Sequence, residues 1–96
     1  MLAACSAALP YVSDDDVTWA KTNISPSNDK DLRDGRTLYI TKCGGCHAPF
    51  LPSARPFSVW RIEVPSMGDR AQIDAADQQQ ILRYLAVATR TPLSPP

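Results

Sequence analysis

The sequence has one histidine, three cysteines and no long apolar run. A single histidine excludes metal sites that need two imidazole ligands, and three cysteines are too few for a disulfide scaffold. No apolar segment approaches the roughly 18 residues that a membrane-spanning helix needs. Lysine plus arginine equals aspartate plus glutamate at ten each, so no basic excess favours nucleic acid. With 44% hydrophobic and 21% charged residues, the 96-residue chain has the composition of one folded domain.

The apolar spacing predicts an all-α domain of about three to five short helices, and no strand is predicted. One helix should begin near Asp29 and run to about Lys42. Its apolar face has helical spacing and consists of Leu32, Gly35, Leu38 and Tyr39. Gly35 within that face costs about 1 kcal/mol relative to alanine. We therefore expect another backbone or an aromatic ring to approach the helix closely at Gly35.

Two further helices are predicted in the second half of the chain. Ser58 is the expected cap of a short helix that carries Trp60. Pro65 should end or kink this helix, and a turn at Met67–Gly68 should follow it. Asp74 is the expected cap of the last helix, which should end before Thr91–Pro92. The apolar stripe of that helix consists of Ile81, Leu82, Tyr84, Leu85 and Ala88.

Residues 43–47 read Cys-Gly-Gly-Cys-His, which is the strongest functional signal in the chain. Cys-x-x-Cys-His is the attachment signature of c-type haem. The two thiols add to the vinyl groups of the porphyrin, and the next residue presents an imidazole to the iron. We therefore predict one haem c, bonded through Cys43 and Cys46, with His47 as an axial ligand. A thioredoxin-like redox pair, half of a zinc site and a small disulfide loop are the alternative interpretations.

On these residues the chain resembles the small monohaem class I cytochromes c of bacteria, over residues 29–89. Three features carry the resemblance. The motif lies at the end of an amphipathic helix, and Met67 follows the motif. On that helix, Gly35 and Tyr39 are expected to face an aromatic residue of the last helix, Tyr84. The resemblance implies a cytochrome c-like fold in which these two helices cross. His47 and Met67 are only twenty positions apart, which is short for the family, so we expect an exposed haem edge.

Met67 is the predicted second axial ligand, because Met1 is the only other methionine and precedes the fold. An open sixth position, or a lysine or tyrosine ligand, is the alternative. The resemblance implies that a proline carbonyl accepts a hydrogen bond from the His47 imidazole, with Pro52 as the candidate and Pro56 as the second choice. The predicted walls of the haem site are Tyr39, Leu51, Phe57 and Trp60. The candidate partners of the haem propionates are Arg55, Arg61 and Arg70.

The first 28 residues are predicted to be the remnant of a lipidation signal and an N-terminal extension. Leu2-Ala3-Ala4-Cys5 followed by serine resembles a bacterial lipobox, which predicts a lipid anchor at Cys5; a free cysteine on a frayed tail is the alternative. Ser13 followed by three aspartates favours a short helix that carries Trp19. The alternative there is an extended linker. Residues 29–90 form the predicted cytochrome c domain, and residues 91–96 the predicted tail.

The predicted function is one-electron transfer by an exported protein that is either free on the periplasmic side or anchored there to a membrane by lipid. We expect a monomer whose partners are membrane or periplasmic oxidoreductases, without nucleic acid. The alternative is a haem-based binder or sensor of gas ligands with an open or labile sixth position. A subunit of a larger oxidoreductase is a third interpretation. No acid–base pair is indicated, and we do not predict an independent enzyme.

Overall fold

The computed structural model describes residues 9–24, 28–43 and 50–93. These residues form an all-α globule of four α-helices, with no strand in the part of the chain that is described. The α-helices are α1 (Asp14–Asn23), α2 (Asp29–Leu38), α3 (Phe57–Arg70) and α4 (Ala75–Ala88). A π-helical turn over Tyr39–Cys43 continues α2, and a 3₁₀ turn over Pro52–Ala54 precedes α3. None of the described helices is long and apolar enough to span a membrane.

The predicted caps of α1 and α4 are confirmed. The Ser13 hydroxyl accepts a hydrogen bond from the Asp16 backbone N–H, and the Asp16 carboxylate accepts one from the Ser13 N–H, which completes a capping box. The Asp74 carboxylate accepts a hydrogen bond from the Asp77 N–H at the start of α4. These residues satisfy backbone donors that have no partner within the helix. Local sequence thus determines where both helices begin.

Helices α2 and α4 form the most extensive helix–helix contact, and they meet at Gly35. A Cβ atom at Gly35 would lie 2.3 Å from the backbone oxygen of Gln80 and 3.1 Å from the Tyr84 Cβ. No real side chain fits at such a distance. The close approach that the sequence predicted at this glycine is therefore confirmed, and it is made by the backbone of α4.

The cap predicted for α3 and the turn predicted at Met67–Gly68 were wrong. The helix begins at Phe57 with Pro56 as its N-cap, rather than after a Ser58 cap, and it continues through Pro65 to Arg70. Met67 and Gly68 consequently lie inside the helix and not in a turn. Proline removes one backbone hydrogen bond and costs about 3 kcal/mol within a helix. Val64 and Gly68, on either side of Pro65, are both buried. Their packing offsets the cost of the proline, so the helix continues through it.

The N-terminal segment is packed onto α2 and α4. Leu9, Val12, Ala20 and Ile24 are all buried. The Pro10 carbonyl accepts hydrogen bonds from the Tyr84 hydroxyl at 2.7 Å and from the Arg36 Nε at 2.8 Å. The short helix predicted after Ser13 is therefore present, and it belongs to the same hydrophobic core as the later helices.

Candidate haem site

The Cys43–His47 motif begins where the helical run of α2 ends. Cys43 is the last residue of the π-helical turn, which adds an extra residue to the final turn of the run. Cys46 and His47 lie outside the described residues, and so do the two glycines between the cysteines. The described chain resumes at Phe50. The site can therefore be built from Cys43 backward along α2 and from Phe50 forward into α3.

Tyr39 is the centre of the described part of the site. It is buried at the point where α2 passes into the π-helical turn, four residues before Cys43. Its ring meets the Trp60 ring edge to face, with centroids 5.8 Å apart, and lies 5.9 Å from the Tyr84 ring. Its hydroxyl donates a hydrogen bond to the Phe50 carbonyl. Tyr39 thus connects α2, α3, α4 and the segment that follows the motif.

Trp60 holds the same segment at a second point. Its indole Nε1 donates a hydrogen bond to the Pro52 carbonyl at 2.9 Å, and both residues are buried. The Phe50 and Pro52 carbonyls are therefore fixed by two aromatic donors that contact each other. We call this arrangement, of Tyr39 and Trp60 on Phe50 and Pro52, the aromatic clamp. A carbonyl oxygen has two lone pairs, so Pro52 retains an acceptor position beside the indole bond.

The second candidate acceptor is less suitable. The Pro56 carbonyl accepts hydrogen bonds from the backbone N–H groups of Val59 and Trp60, at 3.0 and 3.3 Å. Two donors use both of its lone pairs. Pro52 therefore remains the better candidate for the His47 imidazole, and that assignment stays a prediction because His47 is outside the described residues.

The side chains beside the clamp are apolar and partly exposed. Phe50 and Leu51 are 46% and 43% exposed. The Arg55 guanidinium lies over the Phe50 ring, 4.5 Å from its centroid, and forms an ion pair with Glu63 on α3. Leu51 was predicted as a wall of the haem site, and it lies at this surface, whereas Tyr39 and Trp60 lie below it. Sequence reasoning did not identify Phe50 or Glu63.

Met67 lies two helical turns after Trp60 on the same side of α3. Over seven residues an α-helix rises about 10.5 Å and makes almost two full turns, so the two side chains leave the helix in nearly the same direction. Trp60 and Val64 on this side are buried, and Met67 is half-buried at its edge. Glu63 precedes Met67 by one turn, so Met67 belongs to the edge of α3 that also bears the Arg55–Glu63 pair. Phe57 is buried as well, but it faces a different recess, towards Leu82 on α4.

The described residues beside the motif are aromatic and apolar: Tyr39 and Trp60 are buried, and Phe50 and Leu51 are partly exposed above them. Aromatic and apolar side chains are the kind that a flat porphyrin would contact. The donor set of two thiols, one imidazole and one thioether is the set that haem iron and its vinyl groups accept. Of the three arginines predicted near the propionates, Arg55 lies beside Trp60, with its guanidinium 5.4 Å from the ring centroid. Arg61 and Arg70 are exposed on α3.

One buried ionisable group lies behind the clamp. Burial raises the pKa of the Tyr84 hydroxyl to about 12, and the nearby Arg36 guanidinium partly opposes this shift. The neutral hydroxyl donates to the Pro10 carbonyl, so Tyr84 acts as a structural hydrogen-bond donor at neutral pH. It joins the N-terminal segment to the helix pair that carries Tyr39.

Comparison of the chain with protein-family models, with curated proteins and with solved structures found no match.

Proposed function

We propose that this protein is an electron carrier that holds one haem c. The observation that supports this most strongly is the run Cys43-Gly44-Gly45-Cys46-His47 at the end of a helix. Cys43 and Cys46 would bond the porphyrin, and His47 and Met67 would ligate the iron. When bound, haem c supplies a one-electron couple between ferric and ferrous iron. A protein in this role needs no acid–base residues and is not expected to act as an enzyme by itself.

We further propose a cytochrome c-like fold, in which α2 and α4 are the two crossing helices of that family. Close packing at Gly35 and the Tyr39–Tyr84 contact support this assignment. In this proposal Trp60 and Tyr39 line the haem and also orient the segment after His47. A ligating histidine normally donates its second ring N–H to a fixed acceptor, which keeps the imidazole plane in place. The Pro52 carbonyl, held by Trp60, would be that acceptor.

We propose that the protein works on the periplasmic side of a membrane, with a lipid at Cys5. Leu9 is buried, so only three residues separate Cys5 from the packed globule. A fully extended chain over those four peptide steps reaches at most about 14 Å. An anchored protein would therefore stay at the membrane surface, where membrane oxidoreductases are its expected redox partners. Redox partners generally meet through small, weak interfaces.

The position of Met67 supports a second candidate function. Met67 is half-buried at a helical position that shares a face with Trp60, and a methionine there could serve packing alone. In that case the sixth position of the iron would be open or labile. The protein would then bind gas ligands such as carbon monoxide, nitric oxide or oxygen.

Absorption spectra of the haem-loaded protein separate the two functions. A weak far-red sulfur-to-iron band in the oxidised protein, with no change when carbon monoxide is added to the reduced protein, would support His/Met ligation and electron transfer. Met67→Ala should abolish that band. A high-spin spectrum or rapid carbon monoxide binding would instead support the ligand-binding function.

Cysteine variants test the cofactor itself. The double variant Cys43→Ala, Cys46→Ala should lose haem that survives denaturation and acid–acetone extraction, because no thiol of the motif remains. Cys5→Ala is the matched control, since it removes the third cysteine and leaves the motif intact. If the double variant retains covalent haem, or the wild-type protein never acquires it under conditions of haem c maturation, the proposal fails.

A further inference from the structure

Helices α3 and α4 enclose a recess on the side of the molecule that bears Phe57. Its volume is about 360 Å³. Phe57 and Leu82 form a buried apolar floor, and Pro65 and Leu93 are half-buried at its sides. The proposed haem site does not use this recess, because Met67 and Arg61 are separated by about 120° around the axis of α3.

Two arginines border the recess, Arg61 on α3 and Arg83 on α4, and none of the described residues that line it carries a carboxylate. Neither guanidinium makes an ion pair or hydrogen bond with any residue in the described ranges, whereas Arg33, Arg55 and Arg90 are all paired. Asp31 borders a neighbouring depression beside Arg83 without forming an ion pair with it. The recess therefore combines an apolar floor with two available positive charges.

We propose that this recess is a docking site for a segment of a partner protein in which an apolar side chain is flanked by carboxylates. The apolar side chain would lie on Phe57 and Leu82, and the carboxylates would bind the guanidinium groups of Arg61 and Arg83. An arginine guanidinium presents paired N–H donors that match the two oxygens of a carboxylate. Arginine at the edge of a desolvated apolar pocket is also a common source of binding energy in protein interfaces.

The shape of the recess favours a peptide segment over a membrane surface. Proteins that bind anionic lipids usually do so with clusters of several basic residues and with apolar side chains that project outward. Here the basic residues are two, and Phe57 and Leu82 are only 5% and 8% exposed, below the rim. A concave apolar floor accepts a projecting side chain but cannot insert into a flat bilayer.

Peptide binding to the haem-loaded, full-length protein tests the proposal. The probe is a dye-labelled synthetic peptide that alternates leucine and glutamate, measured by fluorescence anisotropy at low ionic strength. We expect saturable binding that Arg61→Ala and Arg83→Ala each weaken about tenfold, since each removes a charge-assisted contact. Arg70→Ala is the matched control, because it removes an exposed positive charge from the same helix outside the recess, and it should change binding less than twofold.

Four results would overturn the proposal. The first is that the peptide does not bind saturably, and the second is that the Arg61 and Arg83 variants bind it as tightly as the wild type does. The third is that a peptide with glutamine in place of glutamate binds equally well. The fourth is that the protein binds vesicles of phosphatidylglycerol more tightly than the peptide, in a way that depends on the two arginines. Circular dichroism verifies that each variant is folded. If an alanine variant is not, Arg61→Lys and Arg83→Lys replace it; they keep the charge but lose the planar fork, and should weaken binding severalfold.

Discussion

Replacing Gly35 with alanine should separate α2 from α4. The new Cβ would lie 2.3 Å from the Gln80 carbonyl oxygen, about 1 Å short of ordinary van der Waals contact, which begins at 3.4 Å. The obstructing atom is backbone and cannot rotate away, so the helices themselves must move. Overpacking of this kind costs about 3 kcal/mol, and the better helix propensity of alanine returns about 1 kcal/mol. We therefore expect a net loss of about 2 kcal/mol in the free energy of unfolding.

For a domain of this size that loss corresponds to a decrease of about 8 to 16 °C in the melting temperature. Circular dichroism of the haem-loaded protein, followed through thermal and denaturant unfolding, measures it. Gly68→Ala is the matched control, because its Cβ would meet the side chain of Gln78, at 2.6 Å from Nε2, rather than a backbone. Gln78 must turn away and lose its hydrogen bond to the Ile73 carbonyl, which costs about 1 to 2 kcal/mol, and alanine within the helix returns about 1 kcal/mol, so this variant should stay within about 1 kcal/mol of wild type. A Gly35→Ala protein as stable as wild type would refute the close contact.

Three other variants test separate parts of the structure. Trp60→Phe removes the indole donor to the buried Pro52 carbonyl and should lower the free energy of unfolding by about 1 to 3 kcal/mol in denaturant titrations; an unchanged value would contradict the aromatic clamp. Tyr84 has a folded pKa raised to about 12, so its contribution of about 2 to 3 kcal/mol is complete below pH 10 and is lost as the pH rises towards 12. The wild type should lose that stability across this range relative to Tyr84→Phe, and parallel pH profiles would disprove it. A chain that begins at residue 28 should fail to fold cooperatively, because it lacks the buried residues Leu9, Val12, Ala20 and Ile24. A chain that begins at Leu9 is the control, since it keeps every contact described for α1. A cooperative unfolding transition in the shorter chain would show that the N-terminal segment is dispensable.

The features that sequence predicted correctly depend on local chemistry. Ser13 and Asp74 cap helices through hydrogen bonds that span three residues, so the residue types alone indicate them. The helix from Asp29 and the contact at Gly35 follow from helical spacing and from the cost of glycine within a helix. Such signals need no knowledge of distant parts of the chain.

The error in α3 has a tertiary cause. A proline in the middle of a segment normally indicates a helix end, and Pro65 is followed by a methionine–glycine pair that also favours a turn. The burial of Val64, and of Gly68 against Gln78, outweighs that local preference. Sequence therefore identified Met67 as a candidate ligand but placed it in the wrong local structure.

The sequence predicted which residues belong to the candidate site, but it did not predict the contacts that these residues make with one another. Tyr39 and Trp60 were expected to line a haem, which their aromatic character indicates. Their hydrogen bonds to Phe50 and Pro52 depend on how α2 and α3 are oriented, and no spacing in the sequence reveals it. The clamp is therefore visible only in the folded chain.

The role of the N-terminal segment was missed for the same reason. Leu9, Val12 and Ile24 have no helical or alternating spacing, so they resemble a linker, yet each is buried. The partner of Pro10 is Tyr84, which is 74 positions away. Arg36 on α2 also donates to the Pro10 carbonyl, so the start of the described chain is bonded to both α2 and α4. If Cys5 carries a lipid, as we propose, the lipid would be attached within about 14 Å of Leu9, and so close to the packed surface of α2 and α4.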